Sequence, residues 1–210
     1  MTDLVLMPTL IQNRADKLLL ASGSAARRRI LENAGLVFDV EASSVDETPL
    51  KQMGRQQNWS VDTVALRLAE AKAQSVQKPD TIVIGADQML SCEGVWYDKP
   101  EGLEGARQQL LQLRGKTHSL HTAVVLCFNG QILWHHVSSP RLTMRMFSLE
   151  FVEHYLSLEG AACLGSVGSY RLEGPGIQLF AAIEGDAFSI QGLPLLPLVA
   201  ALRDLKVLQD

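Results

Sequence analysis

The chain has 210 residues, of which 47% are hydrophobic and 20% charged, enough for a substantial core in one domain or two closely packed lobes. A formal net charge of -4 argues against a nucleic-acid polymer as partner, which would need a basic face, and favours small anions. No run approaches the roughly 18 apolar residues of a membrane span, and the apolar start at residues 4–11 lacks the flank and cleavage site of a signal peptide, so a cytoplasmic protein without membrane contact is expected.

Residues 1–16 read as an N-terminal extension, followed by a single domain over 17–210. Residues 17–22 form an apolar strand, and residues 25–34 a helix stopped by Gly35. Between them, Ser22-Gly23-Ser24 would let backbone N–H groups approach an oxyanion, with the helix N-terminus and Arg27-Arg28-Arg29 adding positive charge. The plainer alternative is a Ser24 N-cap on a solvated basic helix.

A second strand is expected at 38–42, delivering Val45-Asp46-Glu47-Thr48-Pro49 into a loop; a polar stretch with Gly54 follows until Ser60 caps a helix reaching about residue 76. Residues 81–85 make a continuous apolar run, the pattern of a strand covered on both faces, with Asp87 and Gln88 at its carboxyl end. A helix over 104–113 ends at Gly115, and strands at 120–128 and 131–137 flank the hairpin pair Asn129-Gly130. A strand at 141–147, a helix at 148–158, a strand at 178–183 and a closing helix at 195–208 complete an α/β fold. The architecture is a mixed twisted sheet flanked by helices, divided into two lobes with a cleft.

Three groups of residues converge on phosphate chemistry. Loop carboxylates come first: Asp46 and Glu47 after one strand and Asp87 after another suit Mg²⁺ or Mn²⁺, which bind a few carboxylates together with waters and substrate phosphates. Against this stands the reading of Asp46-Glu47 as a solvated turn and Asp87 as a cap. Second, Lys72 continues the inward stripe Val61, Ala65, Leu68 and needs a partner there, unless its stem only snorkels past the core edge. Lys99, in Tyr97-Asp98-Lys99-Pro100, is held in a turn that Pro100 restricts. Third, the glycines between Gly165 and Gly176 surround Glu173 in a loop that would bring backbone to a ligand, although an irregular structural loop has the same composition.

Other chemistries recede. The chain has no Walker A pattern and no G-x-G-x-x-G opening a helix. His118 and His121 would face opposite sides of a strand, and Cys92, Cys127 and Cys163 form no C-x-x-C pattern.

From Lys17 onward the chain resembles the Maf family of nucleoside triphosphate pyrophosphatases. The likeness lies in Ala21-Ser22-Gly23-Ser24 with Arg27-Arg28, in Val45-Asp46-Glu47-Thr48-Pro49, Ala69-Glu70-Ala71-Lys72-Ala73 and Ile84-Gly85-Ala86-Asp87-Gln88, and in Lys99-Pro100, Gly168-Ser169-Tyr170, Ile183-Glu184-Gly185-Asp186 and Gly192-Leu193-Pro194-Leu195. The resemblance implies an inosine triphosphate pyrophosphatase-like fold. It also implies hydrolysis of a nucleoside triphosphate to monophosphate and pyrophosphate with a divalent metal, house-cleaning of noncanonical nucleotides, and a homodimer. Carried over residue by residue, Ser22, Arg27, Lys72 and Lys99 contact the phosphates, Glu47 and Asp87 hold metal, and Asp87 accepts the proton from water. Gln88 and Glu173 stand where the UTP- and dTTP-preferring branch has Thr and Gln, which points to the 7-methyl-GTP branch. Ala25 and Ala26 depart from the common Pro-Arg, and Ala26 replaces the bulky aromatic of the 7-methyl-GTP branch. The rival implied by the same family is a non-catalytic nucleotide-binding regulator of septum formation and cell division.

Overall fold

The computed structural model describes Gln12 and residues 18–209. The extension read at residues 1–16 lies outside them except for Gln12, whose side-chain amide pairs with the Val37 backbone and whose own backbone bridges to Leu208.

Strand β1 (Leu18–Leu20) is three buried leucines, an apolar stretch that can only sit inside a sheet covered on both faces. It lies between β2 (Asp39–Val40) and β3 (Ile82–Cys92), parallel to both. β3 then runs antiparallel to β5 (Thr117–Phe128), which also pairs with β6 (Gln131–Ser138) and β7 (Arg141–Met144). β8 (Phe180–Glu184) closes one edge on β7, and β4 (Val95–Tyr97) pairs with the far end of β3. The result is the expected mixed sheet, eight strands in one piece.

Seven α-helices flank it among the described residues. α1 (Ala25–Asn33) buries Ile30 and Leu31 on one face of the parallel strands, beside α7 (Leu195–Asp204). α2 (Thr48–Gln56) and α3 (Val61–Ser75) lie on the other face, where Val64, Ala65, Leu68, Ala69 and Ala73 of α3 form one apolar stripe. α4 (Gly102–Leu113) and α5 (Leu149–Glu159) cover a third core at the β7 end, and α6 (Ala187–Ile190) is a single turn before α7. The lobes thus share one sheet and differ in the cores packed on it. Ser24, Ser60 and Ser148 cap α1, α3 and α5, each hydroxyl accepting a backbone N–H three residues on. No helix among the described residues is long and apolar enough to cross a membrane.

Two expectations are corrected. The polar stretch after Asp46 is helix α2, not loop: Pro49 fits its first turn, where no N–H is needed, and Leu50 leans on the α3 core. Its single inward apolar contact among Lys, Gln and Arg is too little periodicity to read. The second concerns β3, which does not stop after Gly85 but runs to Cys92, so Asp87 and Gln88 sit in mid-strand opposite Ala123 and Thr122. β1 pairs only with residues 82–84 of β3, and β4 rejoins it only at residue 90. The polar pair therefore falls where one flank of β3 has no neighbouring strand, which breaks the apolar run without ending the strand.

Candidate active site

That open flank of β3 borders a cleft of about 900 Å³, lined by the turn after β1, the start of α1, the α2–α3 side and the glycine-rich loop. Apart from Asp46, the site residues expected from the sequence line it: Ser22, Ala26 and Arg27 from the first turn and α1, Glu47 and Lys72 beside α2 and on α3, Asp87 and Gln88 on β3, then Lys99 and Glu173.

One end of the cleft begins at the N-terminus of α1. Ser22 Oγ accepts from the Ser24 N–H and from Arg27 Nη1, both at 3.2 Å, while Arg27 Nε donates to the Gly192 carbonyl at 2.8 Å. Arg27 is thereby fixed across the end of the cleft. Burial lowers its pKa, opposed by the negative charges of Asp87 and Glu47.

The approach of α3 to β3 sets the next contact. A side chain at Gly85 would place its Cβ 2.3 Å from the Ala69 carbonyl oxygen and 2.7 Å from the Ala73 Cβ, so only glycine lets the last turns of α3 lie this close. Lys72 is consequently pressed against Asp87. Its ammonium donates to Asp87 Oδ1 at 2.5 Å and to Glu47 Oε1 at 2.7 Å. The inward lysine of the α3 stripe thus finds two carboxylates.

These carboxylates differ electrostatically. Asp87 is buried, and desolvation raises its pKa above the usual carboxylate value although the charges of Lys72 and Arg27 pull the other way. Glu47 is more open. Burial would raise its pKa too, but hydrogen bonds from Lys51 and Lys72 outweigh that and hold it at about 2. One carboxyl is tuned towards proton acceptance and the other towards permanent charge.

Lys51 and Asp98 also line the cleft, and sequence reasoning gave neither of them a role. Lys51 bonds Glu47 Oε2 at 2.8 Å and Asp98 Oδ1 at 2.7 Å. Its signal was the four-residue spacing from Glu47, which means a pair only on a helix, and α2 was not legible as one. Asp46 stays outside the cleft lining. It accepts the Thr48 N–H at 2.9 Å at the start of α2, as in the solvated-turn alternative. Lys99 is exposed on the cleft wall, with no side-chain bond or ion pair to any described residue.

At the other end, Gln88 Nε2 lies within 3.0 Å of the Ser189 and Ile190 carbonyls and 2.8 Å from Thr122 Oγ1. Two carbonyl acceptors fix the amide orientation, leaving Gln88 Oε1 as the atom free to accept from a ligand. The loop carrying Glu173 is tied down by Arg171, whose Nε and Nη2 reach the buried Glu159 carboxylate at 2.7 and 3.2 Å. Here the glycine expectation divides. Gly165 lines the cleft, but Gly176 serves the loop itself, since a Cβ there would fall 2.4 Å from the Arg171 carbonyl oxygen.

Fold and cleft together define an α/β protein whose parallel strand β1 and helix α1 open onto a site for a polyanionic ligand, with a buried carboxylate at its floor. The chain belongs to the Maf-like protein family, whose match spans residues 17–205. It is similar to a nucleoside triphosphate pyrophosphatase of Granulibacter bethesdensis, 53% identical over 189 residues that cover 89% of this chain and 96% of the relative. A nucleoside triphosphate pyrophosphatase of Rhodospirillum rubrum is 50% identical over 187 residues, covering 88% and 93%. A 7-methyl-GTP pyrophosphatase of Mesorhizobium japonicum is 48% identical over 192 residues, covering 90% and 96%.

Proposed function

We propose that this protein hydrolyses a nucleoside triphosphate between the α and β phosphates, releasing a monophosphate and pyrophosphate. The observation that carries this reading is the Asp87–Lys72–Glu47 cluster on the floor of a cleft that also holds Arg27, Arg29 and Lys99. In-line attack on phosphorus needs a proton acceptor near the water, positive charge around the phosphates and compensation for the leaving group. Asp87, raised by burial, accepts the proton. The α1 N-terminus with Ser22 and Arg27 holds one part of the phosphate chain, and Lys99, unpaired among the described residues, takes another. Lys72 leaves its carboxylates to face phosphate when substrate enters.

Glu47 and Asp87 suit Mg²⁺ or Mn²⁺ held jointly with substrate. Among the described residues no group of three or more His, Cys, Asp or Glu forms a closed cage, and Mg²⁺ commonly takes only one or two carboxylates together with phosphate oxygens. When bound, the ion supplies charge neutralisation and a more acidic water.

At the base end, Gln88 Oε1 and the Glu173 carboxylate are acceptors. Guanine and 7-methylguanine present N1–H and N2–H₂ donors side by side, which such acceptors fit better than they fit the mixed edge of uracil or thymine. Ala26 leaves room beside them. The names of the Granulibacter and Mesorhizobium relatives support the reaction and the base class respectively. Incubation with Mg²⁺ or Mn²⁺ and 7-methyl-GTP, GTP, UTP or dTTP, followed by a pyrophosphate assay, tests both. Release from the guanine-type nucleotides in preference to the pyrimidines is expected. Binding without turnover of any triphosphate would instead support a regulator.

A further inference from the structure

Lys51 contributes to none of the roles assigned above, yet it joins two parts of the cleft. Its ammonium lies between Glu47 Oε2 and Asp98 Oδ1, at 2.8 and 2.7 Å. Glu47 Oε1 is on Lys72, so both oxygens of this carboxylate are held, each by a lysine from a different helix. Gripped on both oxygens, the carboxylate presents a single orientation to an incoming cation, and once Lys72 turns to phosphate the Lys51 contact is the grip that remains. Asp98 in turn belongs to the turn between β4 and α4 that carries Lys99, and its carbonyl accepts from Gln109 Nε2 at 2.6 Å. That turn is therefore held at its backbone by α4 and at its side chain by Lys51. The side chain of Lys51 is 21% exposed and lines the cleft with both partners, unlike a solvent-facing helix pair such as Arg28 and Glu32, at 60% and 48%.

We propose that Lys51 is a positioning residue that sets Glu47 for a divalent cation and, through Asp98, sets Lys99 for the triphosphate. The proposal rests on the metal and phosphate roles proposed above for Glu47 and Lys99, but not on turnover. It implies an asymmetry. Loss of Lys51 disturbs both ligands, whereas loss of the Asp98 charge disturbs only the triphosphate.

The test is binding rather than activity. Mn²⁺ alone is titrated into the full chain by calorimetry, and then an α,β-methylene guanosine triphosphate is titrated at saturating Mn²⁺. Lys51→Met should weaken Mn²⁺ roughly 10-fold or more, as loss of a group orienting a metal ligand does, and should weaken the analogue as well. Asp98→Asn should weaken the analogue roughly 3- to 10-fold, the loss of one charge-assisted bond, and leave Mn²⁺ binding within about twofold of wild type. Lys51→Arg should recover most of both, since a guanidinium can bridge two carboxylates. If Lys51→Met does not fold, Lys51→Gln carries the same expectation. Unchanged Mn²⁺ and analogue binding in the Lys51 variant would overturn the proposal. So would an Asp98→Asn effect on Mn²⁺ equal to that of the Lys51 variant, or absence of Mn²⁺ binding by the wild type. Catalytic failure of a wild type that still binds both ligands would contradict the proposed reaction and leave the positioning role standing.

Discussion

Helix α3 carries a polar network at each end, and the two behave differently. Near its last turn, Lys72 joins Asp87 and Glu47 on the cleft floor. In its first turn, Asp62 accepts from His121 Nδ1 and Ser139 Oγ, both at 2.6 Å, while His121 Nε2 meets Ser91 Oγ at 2.8 Å. Taken alone, the order Asp62, His121, Ser91 looks like catalytic machinery. None of these residues lines the cleft, and Ser91 is paired in the sheet on both sides, with Trp96 and Ser119. The network fastens α3 to β3 and β5. Burial would raise the Asp62 pKa, but the Ser139 and His121 bonds outweigh it and keep the carboxylate charged. The lesson is that composition does not separate a site from a fastener. What separates them is whether the polar groups face room for a ligand and whether one of them is held against its ordinary ionisation, as Asp87 is.

The comparison can be broken first at Asp87. Asp87→Asn should lower turnover by roughly 100-fold or more, the lower end of general-base contributions, with the fold retained because Lys72 keeps Glu47 as its partner once the Asp87 charge is gone. Near-normal turnover at saturating metal and substrate would remove Asp87 from its role.

The opposite face of β5 sharpens the same contrast. His118 is buried, its Nε2 lies 2.8 Å from Tyr170 Oη, and its Nδ1 has no hydrogen-bond partner among the described residues. Burial pushes its pKa down to about 4 from 6.5. The folded protein therefore resists a proton that the unfolded chain accepts. Stability should be fully present above about pH 6.5 and decline as pH falls towards 4, by about 3 kcal/mol in all for this one group. Urea unfolding between pH 7 and 4.5 in wild type and His118→Gln measures it, and the variant should lose much of that slope.

A smaller effect belongs to the base end. Glu173→Gln should shift the ratio of kcat/KM for 7-methyl-GTP against UTP towards UTP by roughly 10-fold, the cost of mismatching one hydrogen-bonding edge. The smallest effect on activity is expected at Asp62, where Asp62→Ala should leave kcat/KM unchanged while lowering stability by about 1 to 2 kcal/mol through its two lost bonds. An activity loss there matching that of Asp87→Asn would erase the distinction between the two networks.

Much of this was legible before the coordinates, for identifiable reasons. Ser24 and Ser60 announce their helices by local chemistry, the stripe through Leu68 makes Lys72 conspicuous, and Asn129-Gly130 can hardly do anything but turn; both residues have positive φ. The missed parts depend on neighbours distant in sequence. β3 continues past Asp87 because β5 supplies a partner along its whole length, and α2 forms because Leu50 finds the α3 core. Lys51 and Asp98, 47 residues apart, become partners only once both are folded onto the cleft. The orientation of Gln88, with its donors consumed by Ser189 and Ile190, is likewise a product of tertiary structure.

In the proposed reaction Asp87 directs a water to the α-phosphorus. Hydrolysis in heavy-oxygen water, with mass spectrometry of the products, tests it most directly. The label should appear in the nucleoside monophosphate and not in the pyrophosphate. Label in the pyrophosphate, or a nucleoside diphosphate and orthophosphate as the main products, would contradict the account.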